Sequence, residues 1–587
     1  MTDTKLAARK LLSGNEAIAR AAWEAGVRVA SGYPGTPSTE ILENLARYPD
    51  VYCEWAPNEK VSLEVVAGAS FGGARALATM KHVGVNVAAD PLMTFAYTGV
   101  NGGAVIVSAD DPGMHSSQNE QDNRHFGRMA SIPVLEPSDS QEAYEFTLLA
   151  FEISERFDTP VMLRTTTRVA HSSGPVTIGE RQNPDLPAFQ KNPGKYVMVP
   201  ANAKRRHTSV LERERLLKAF AEETPINRVE KRGAMGVVAS GVAYQHVCEA
   251  FPEASVLKLG MSWPLPEQKI REFAGSVERL IVVEELDPFL ETEIRAMGIA
   301  CDGKNLIPRE GELDPVIVKG AIEGSGPPPA PPSPLPARPP VLCAGCPHRG
   351  VFWLLNRMRA VVPGDIGCYT LGALPPLESL DICISMGASV GSAIGMQRAR
   401  REDDTRPQVA VIGDSTFLHS GISGLIDAVY NQTPITLVIL DNRTTAMTGG
   451  QEHPGTGKTL MGASAPEIDL LRLCKAAGVE YVVRVDPLNL QETRAAIEQG
   501  VAFDGPAVII ATSPCVLQAH VTSEALAVDT EACSACQLCF KLGCPALSAD
   551  PSAEKKGRQC ATIDESLCNG CRICEQMCPK HAVGVSK

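Results

Sequence analysis

Two stretches constrain this chain more than any others: Val411-Ile412-Gly413-Asp414-Ser415-Thr416-Phe417 and Leu437-Val438-Ile439-Leu440-Asp441-Asn442-Arg443-Thr444. Each begins as a short apolar run, the pattern of a strand buried on both faces of a parallel sheet, and each ends in polar residues. Between them, from Ser420 to Tyr430, apolar residues recur at helical spacing, so the unit reads strand, helix, strand. The fold class that follows is α/β, with doubly wound parallel sheets covered by helices. Ligands in such sheets sit beyond the carboxyl ends of the strands, where Asp414 and Asn442 fall. A carboxylate, an amide oxygen and the Thr444 carbonyl are hard oxygen donors of the kind Mg²⁺ takes. An ordinary βαβ unit with polar strand ends has the same local sequence, so the rest of the chain must decide.

At 587 residues the chain is too long for one core and divides into several domains. A net charge of −13 argues against nucleic acid or an anionic membrane as the main partner. No apolar run approaches the roughly 20 residues of a membrane span, and the first residues, MTDTKLAARKLLSG, lack a signal-peptide core. A cytoplasmic location is expected.

Residues 1–175 read as a first α/β domain, with a helix from Asn15, a strand over Val27–Tyr33, a helix of small residues around Ala67–Ala74 and a buried strand from Ala104 to Asp111. Residues 176–230 are polar, include the basic patch Lys204-Arg205-Arg206-His207, and read as a solvated connector. A smaller α/β domain is expected over 231–324, with strands at Met235–Gly241 and Arg279–Glu285. Residues 325–340 are a proline-dense linker. Residues 341–520 form the third domain, which holds the opening motif. The segment 526–587 is too small to build an apolar core unaided.

That last segment is rich in cysteine. Of eighteen cysteines, eight form two spaced runs: Cys533-x₂-Cys536-x₂-Cys539-x₄-Cys544-Pro545, then Cys568-x₂-Cys571-x₂-Cys574-x₃-Cys578-Pro579. Paired CxxC groups in a chain of this size point to metal, either structural zinc or iron–sulfur clusters. The runs resemble those of bacterial two-cluster ferredoxins, in which three Cys of one run and the last of the other hold each [4Fe–4S] cluster. By that rule Cys533, Cys536, Cys539 and Cys578 hold one cluster, and Cys568, Cys571, Cys574 and Cys544 the other. The first run departs from the usual spacing by one residue.

The opening motif resembles the Gly-Asp-Gly…Asn pattern of thiamine-diphosphate (ThDP) enzymes, with Ser415 in place of the second Gly. Such enzymes need a carboxylate beside the aminopyrimidine ring, a Glu in apolar surroundings. Glu59, at a helix start after Asn58, fits that requirement; Glu54 and Glu64 are its rivals. Tyr33-Pro34-Gly35-Thr36-Pro37-Ser38, Asn58-Glu59-Lys60, the stretch Asp110–Asp122, Cys346-Pro347-His348-Arg349-Gly350 and Gly364–Gly372 resemble the 2-oxoacid:ferredoxin oxidoreductase family. Within it, they resemble the alpha subunits of the indolepyruvate-type enzymes over essentially the whole chain. The resemblance implies two ThDP-binding-fold domains, a transketolase C-terminal-like domain between them and a ferredoxin-like domain at the end. It implies Glu59 as the aminopyrimidine partner, Asp414, Asn442 and Thr444 as Mg²⁺ ligands, and Cys346, His348, Gly367, Tyr369, Gly387, Gly413 and Ser415 around the cofactor. Thr36 is placed near the substrate carboxylate, with Arg124 or its rival Arg128.

Cys343, Cys346, Cys368 and Cys515 read either as four buried thiols or as ligands of a third [4Fe–4S] cluster, as some relatives hold. The implied activity is oxidative decarboxylation of an aryl 2-oxo acid to its coenzyme A thioester, with electrons passed to an external ferredoxin. A separate beta subunit is expected to complete an α₂β₂ assembly. The alternatives are a ferredoxin oxidoreductase for another 2-oxo acid, a non-redox ThDP decarboxylase, and an electron-transfer subunit without ThDP chemistry.

Overall fold

Strands that read as unbroken apolar runs are the ones buried throughout. Ala104–Asp110 and Val161–Thr166 are buried along their whole length at the middle of a seven-stranded sheet. A computed structural model describes residues 8–185, 187–325, 339–519 and 523–585 and divides into two units, residues 1–332 and 333–587. The proline-dense linker expected at 325–340 falls almost wholly outside the described residues.

In the first unit the large sheet has the order Met261–Trp263, Val134–Leu135, Val161–Thr166, Ala104–Asp110, Ala76–Lys81, Val29–Gly32, Tyr52–Trp55. All neighbours are parallel except the first pair. Parallel strands need helical crossovers, and the helices Gly14–Glu24 and Glu59–Phe71 begin where the sequence supplies caps. Ser13 and Glu16 form a capping box, and the Asn58 side chain accepts from the Val61 N–H. A second sheet sets Arg279–Val283, Met235–Ala239 and Ser255–Leu259 in parallel and adds Asn227–Glu230 antiparallel. Met261–Trp263 follows directly on that sheet yet pairs with Val134–Leu135 of the first. The smaller α/β region is therefore stitched into the first rather than strung after it.

The connector expected at 176–230 is corrected by the structure. Residues Pro200–Glu223 form a 24-residue helix, the longest among the described residues. Its buried positions are Val210, Arg213, Leu217 and Ala221, a single stripe at helical spacing. One of the four is an arginine, which hides the apolar period. Arg213 Nη1 donates to the Asp158 carbonyl at 2.8 Å and Nη2 to the Ala96 carbonyl at 2.7 Å. Burial lowers its pKa to about 10.

In the second unit a parallel sheet runs Val409–Gly413, Thr436–Asp441, Ala507–Thr512, Tyr481–Val485. Alternate residues feed two cores. Val409, Val411, Val438, Leu440 and Ile509 face one, and Ala410, Ile412, Leu437, Ile439 and Ile510 the other. Both faces are covered, as a doubly wound sheet requires. After Gly413 the chain makes one helical turn at Asp414–Thr416, widens into a π-helical turn at Phe417–Gly421 and continues as the helix Ile422–Tyr430. The cysteine-rich segment adds the pair Leu526–Val528 with Val583–Val585 and the hairpin Leu547–Lys555 with Arg558–Ile563. Its small apolar cluster, including Leu542, Ile573 and Met577, is completed by Leu354 and Leu490 of the sheet domain. No helix among the described residues is long and apolar enough to cross a membrane.

Candidate functional site

Asp414 stands at the carboxyl end of Val409–Gly413 and is 2% exposed. Its Oδ1 accepts from the Ser415 N–H at 2.8 Å, and its Oδ2 accepts from the Arg443 N–H at 2.8 Å. The second bond ties the Asn442–Thr444 loop to the carboxylate, so buried Asn442 and Thr444 flank it. An oxygen donor set assembled this way suits a hard divalent cation. His453 Nε2 lies 3.2 Å from the same Oδ2. Burial works against the Asp414 charge, but His453 and the two backbone N–H groups outweigh it and hold the carboxyl below its usual range. Burial and then the Asp414 charge push neighbouring Asp441 up to about 6. Nothing local in the sequence marks His453, which comes from the Gly449–Gly457 loop; only the fold brings it to Asp414.

The remaining expected positions build the walls of this end. A Cβ on Gly413 would lie 2.7 Å from the Tyr369 ring, and one on Gly367 2.3 Å from it, so both glycines make room for Tyr369. The Tyr369 hydroxyl donates to the Ile366 carbonyl at 2.9 Å. Ser415 Oγ accepts from Thr445 Oγ1 at 3.0 Å. Gly387, at φ +86°, heads the helix Ala388–Arg398, and its N–H donates to Asp365 Oδ1 at 2.9 Å. Burial drives the His348 pKa down to about 4 despite the nearby Asp414 carboxylate, so this imidazole is neutral near pH 7.

The thiols converge in three groups. Cys343, Cys346, Cys368 and Cys515 line one cavity of ≈ 210 Å³ together with His348 and Asn442. The Cys515 N–H donates to the Asn442 carbonyl at 3.0 Å, joining this group to the Asp414 edge. Burial, and then the charges of Cys515 and Cys343, push Cys368 up to about 11. Cys533, Cys536, Cys539 and Cys578 line a second cavity, and burial with its three companions raises Cys539 to about 11. Cys574, raised to about 12 by burial, has Cys571, Cys544 and Cys568 as its charged neighbours. A metal centre takes such thiols as thiolates and displaces their protons. Among the described residues no three His, Cys, Asp or Glu side chains crowd closely enough to hold a single metal ion. Cys560 lies outside the two spaced runs, and its thiol hydrogen-bonds with Cys533.

In the first unit the three candidate glutamates separate. Glu59 is 6% exposed at the start of its helix, against Gly84, where a Cβ would come within 2.7 Å of Glu59 Oε1. Glu64 is exposed and pairs with Lys60. Glu54 accepts from Ser31 Oγ at 3.2 Å and Tyr52 Oη at 2.8 Å. Thr36 lies in the loop after Val29–Gly32, and its carbonyl accepts from Ser116 Oγ at 3.4 Å.

Arg124 does not meet the expectation of a substrate-facing cation. It is 1% exposed, and its donors go to Asp122, to Glu284 Oε2 at 2.7 Å and to the Glu285 and Asp287 carbonyls. With neighbouring Arg164, which pairs with Asp110 and Glu136, it cements the two sheets of this unit. Arg128 pairs with Glu293. The cation beside the Thr36 loop is Lys81. Its Nζ donates to the Ser116 carbonyl, and a Cβ on Gly35 would lie 3.0 Å from its Cβ. Burial lowers the Lys81 pKa against the pull of Asp111.

Comparison with known proteins gives three family-model matches. Residues 20–229 match the thiamine-diphosphate-binding domain of pyruvate flavodoxin/ferredoxin oxidoreductases, residues 365–511 the C-terminal TPP-binding domain of thiamine pyrophosphate enzymes, and residues 561–583 a 4Fe-4S binding domain. Proteins named indolepyruvate oxidoreductase subunit IorA are similar over nearly full length. The one from Methanothermobacter thermautotrophicus is 44% identical, covering 97% of this chain and 96% of its own. That from Archaeoglobus fulgidus is 42% identical, covering 98% and 97%. A solved 2-oxoglutarate:ferredoxin oxidoreductase from Magnetococcus marinus, with 2-oxoglutarate, coenzyme A and succinyl-CoA bound, is similar at 17% identity and a TM-score of 0.46, covering 54% of this chain and 65% of that one.

Proposed function

The chain belongs to the IorA family of indolepyruvate oxidoreductase subunits, ThDP-dependent members of the 2-oxoacid:ferredoxin oxidoreductases, and from that premise we propose that it oxidatively decarboxylates aryl 2-oxo acids, indolepyruvate first among them. The observation that carries this reading is the hydrogen bond from the Cys515 N–H to the Asn442 carbonyl. It sets Cys515, one of four thiols lining a cavity with Asn442, against the loop that carries the proposed metal ligands, which supports an electron exit beside the site of decarboxylation.

Asp414, Asn442 and Thr444 are proposed to hold Mg²⁺ and through it a diphosphate, with His453 orienting the Asp414 carboxylate. Bound ThDP supplies the nucleophilic carbon and the electron sink for loss of CO₂. Glu59, buried and bounded by Gly84, would be the carboxyl group that hydrogen-bonds an aminopyrimidine nitrogen of bound ThDP. Neutral His348 can give or take a hydrogen bond near the diphosphate end without adding charge. Thr36 and Lys81, in place of the sealed Arg124, are proposed to receive the substrate carboxylate. The three Cys quartets are proposed to hold [4Fe–4S] clusters, the one at Cys343, Cys346, Cys368 and Cys515 lying nearest the cofactor. Coenzyme A as acyl acceptor, a beta subunit in an α₂β₂ assembly and an external ferredoxin complete the reading.

The test is an anaerobic assay of the chain with its partner subunit, using indolepyruvate, phenylpyruvate, pyruvate and 2-oxoglutarate with coenzyme A and ferredoxin. Indolepyruvate should lead in kcat/KM by at least about tenfold, a difference of about 1.4 kcal/mol. A higher value for 2-oxoglutarate or pyruvate would overturn the substrate reading. Release of CO₂ and aldehyde with no reduced ferredoxin would favour the non-redox decarboxylase.

A further inference from the structure

Arg349 is the second residue of the helix His348–Met358 and is 2% exposed. A buried guanidinium ordinarily meets a carboxylate, because an unpaired charge is costly to take out of water. The hydrogen bonds of Arg349 go instead to main-chain carbonyls on two loops. Nε donates to Cys343 at 3.0 Å and Nη2 to Leu342, while Nη1 donates to Leu542 at 3.0 Å and Gly543 at 2.6 Å. The first loop carries Cys343 and Cys346; the second immediately precedes Cys544. Ionisable neighbours of the guanidinium are the thiols of Cys544, Cys346, Cys343 and Cys571. The first loop also meets the second Cys run, where Asn569 Nδ2, next to Cys568, donates to the Ala344 carbonyl at 3.4 Å.

We propose that Arg349 is a positioning residue that clamps the loop before Cys544 onto the Cys343–Cys346 loop, and that it is the buried counter-charge of the cluster held by Cys544, Cys568, Cys571 and Cys574. The counter-charge role rests on the reading that this quartet binds [4Fe–4S]. A cluster ligated by four thiolates carries net negative charge, so it balances a guanidinium that carbonyl dipoles only solvate. A fixed positive charge beside a cluster favours the more negative, reduced state and raises its potential; net charge and hydrogen bonding are among the factors that set such potentials. The clamp also fixes the distance between two Cys quartets that sequence separates by some two hundred residues, from Cys343 to Cys544.

The experiment uses the full chain, loaded anaerobically, as wild type, Arg349→Gln and Arg349→Lys. It reads iron per chain, cluster midpoint potentials by EPR-monitored titration, and amide hydrogen exchange over residues 540–545. In Arg349→Gln one cluster should become harder to reduce, its reduced-to-oxidised ratio at fixed potential falling about tenfold, which is about 59 mV for a one-electron couple. Arg349→Lys, which keeps the charge, should retain most of that potential. Both variants should exchange faster over 540–545, since neither side chain can bond all four carbonyls. Loss of about four irons in Arg349→Gln but not in Arg349→Lys would carry the same meaning as the shift. Unchanged potentials in Arg349→Gln, or equal iron loss in both variants, would overturn the counter-charge role; unchanged exchange would overturn the clamp. A wild-type chain that holds zinc in place of iron would refute the cluster reading itself, before any variant is compared.

Discussion

Glu59 shows how one side chain gains a role from its surroundings. It is buried while Glu64 is exposed and paired with Lys60, so Glu59→Gln should slow hydrogen–deuterium exchange at the ThDP C2 position by at least about 100-fold, within the range of general acid–base effects. Glu64→Gln should leave that exchange within about twofold of wild type; quenched-flow NMR measures both, and the reverse ranking would move the role to Glu64. Lys81→Met should raise KM for the 2-oxo acid about tenfold or more, the loss expected of a charge-assisted hydrogen bond, while thiamine content stays unchanged. Steady-state kinetics with a thiamine assay read the two separately. A third residue governs stability. Burial pushes the Glu285 carboxyl up to about 7, so the folded unit keeps a proton that the unfolded chain releases near its ordinary value of 4.5. Between those values the native state binds more protons, and stability falls as pH rises. The advantage is complete below about pH 4.5, is gone above about pH 7 and amounts to roughly 3 kcal/mol. Glu285→Gln should therefore raise the melting temperature at pH 8 and change it little at pH 5, which differential scanning calorimetry at the two pH values resolves.

At the scale of elements, the helix Pro200–Glu223 is held by an arginine where most helices use an apolar residue. Arg213→Ala removes donors to two carbonyls and should destabilise the first unit by about 2–4 kcal/mol. Arg205, on the exposed side, should be replaceable by Ala within about 0.5 kcal/mol. Denaturant titration of both variants checks the contrast. The strands were far easier to read than this helix. Val409–Gly413 and Thr436–Asp441 are buried on both faces, so nearly every residue is apolar and the run announces itself. A half-exposed helix whose narrow buried stripe includes a charge gives no such signal.

For the whole molecule, the cluster count is the quantity that binds the reading together. With three quartets loaded the chain should hold about twelve irons, and with two about eight, at four per cluster. Cys515→Ser should cost about four irons and leave the two ferredoxin-type clusters in place, as iron analysis and EPR of anaerobically purified protein will show. Retention of the full iron content in that variant would return Cys343, Cys346, Cys368 and Cys515 to the status of buried thiols.

The parallel sheets, the strand ends at Asp414 and Asn442, the capped start at Glu59 and the two spaced Cys runs were legible in the chain alone. Each is written in short-range periodicity or fixed spacing, and such patterns survive without knowledge of what lies across the fold. Contacts between distant segments were not legible. His453 on Asp414, Arg124 sealed between Asp122 and Glu284, Lys81 beside the Thr36 loop and Arg349 between Leu342 and Gly543 all depend on where loops come to rest. A polar side chain has the same local sequence whether it faces solvent, a carbonyl or a cofactor. Only burial decides which of these it must satisfy, because a buried charge left without a partner costs more than the fold can spare.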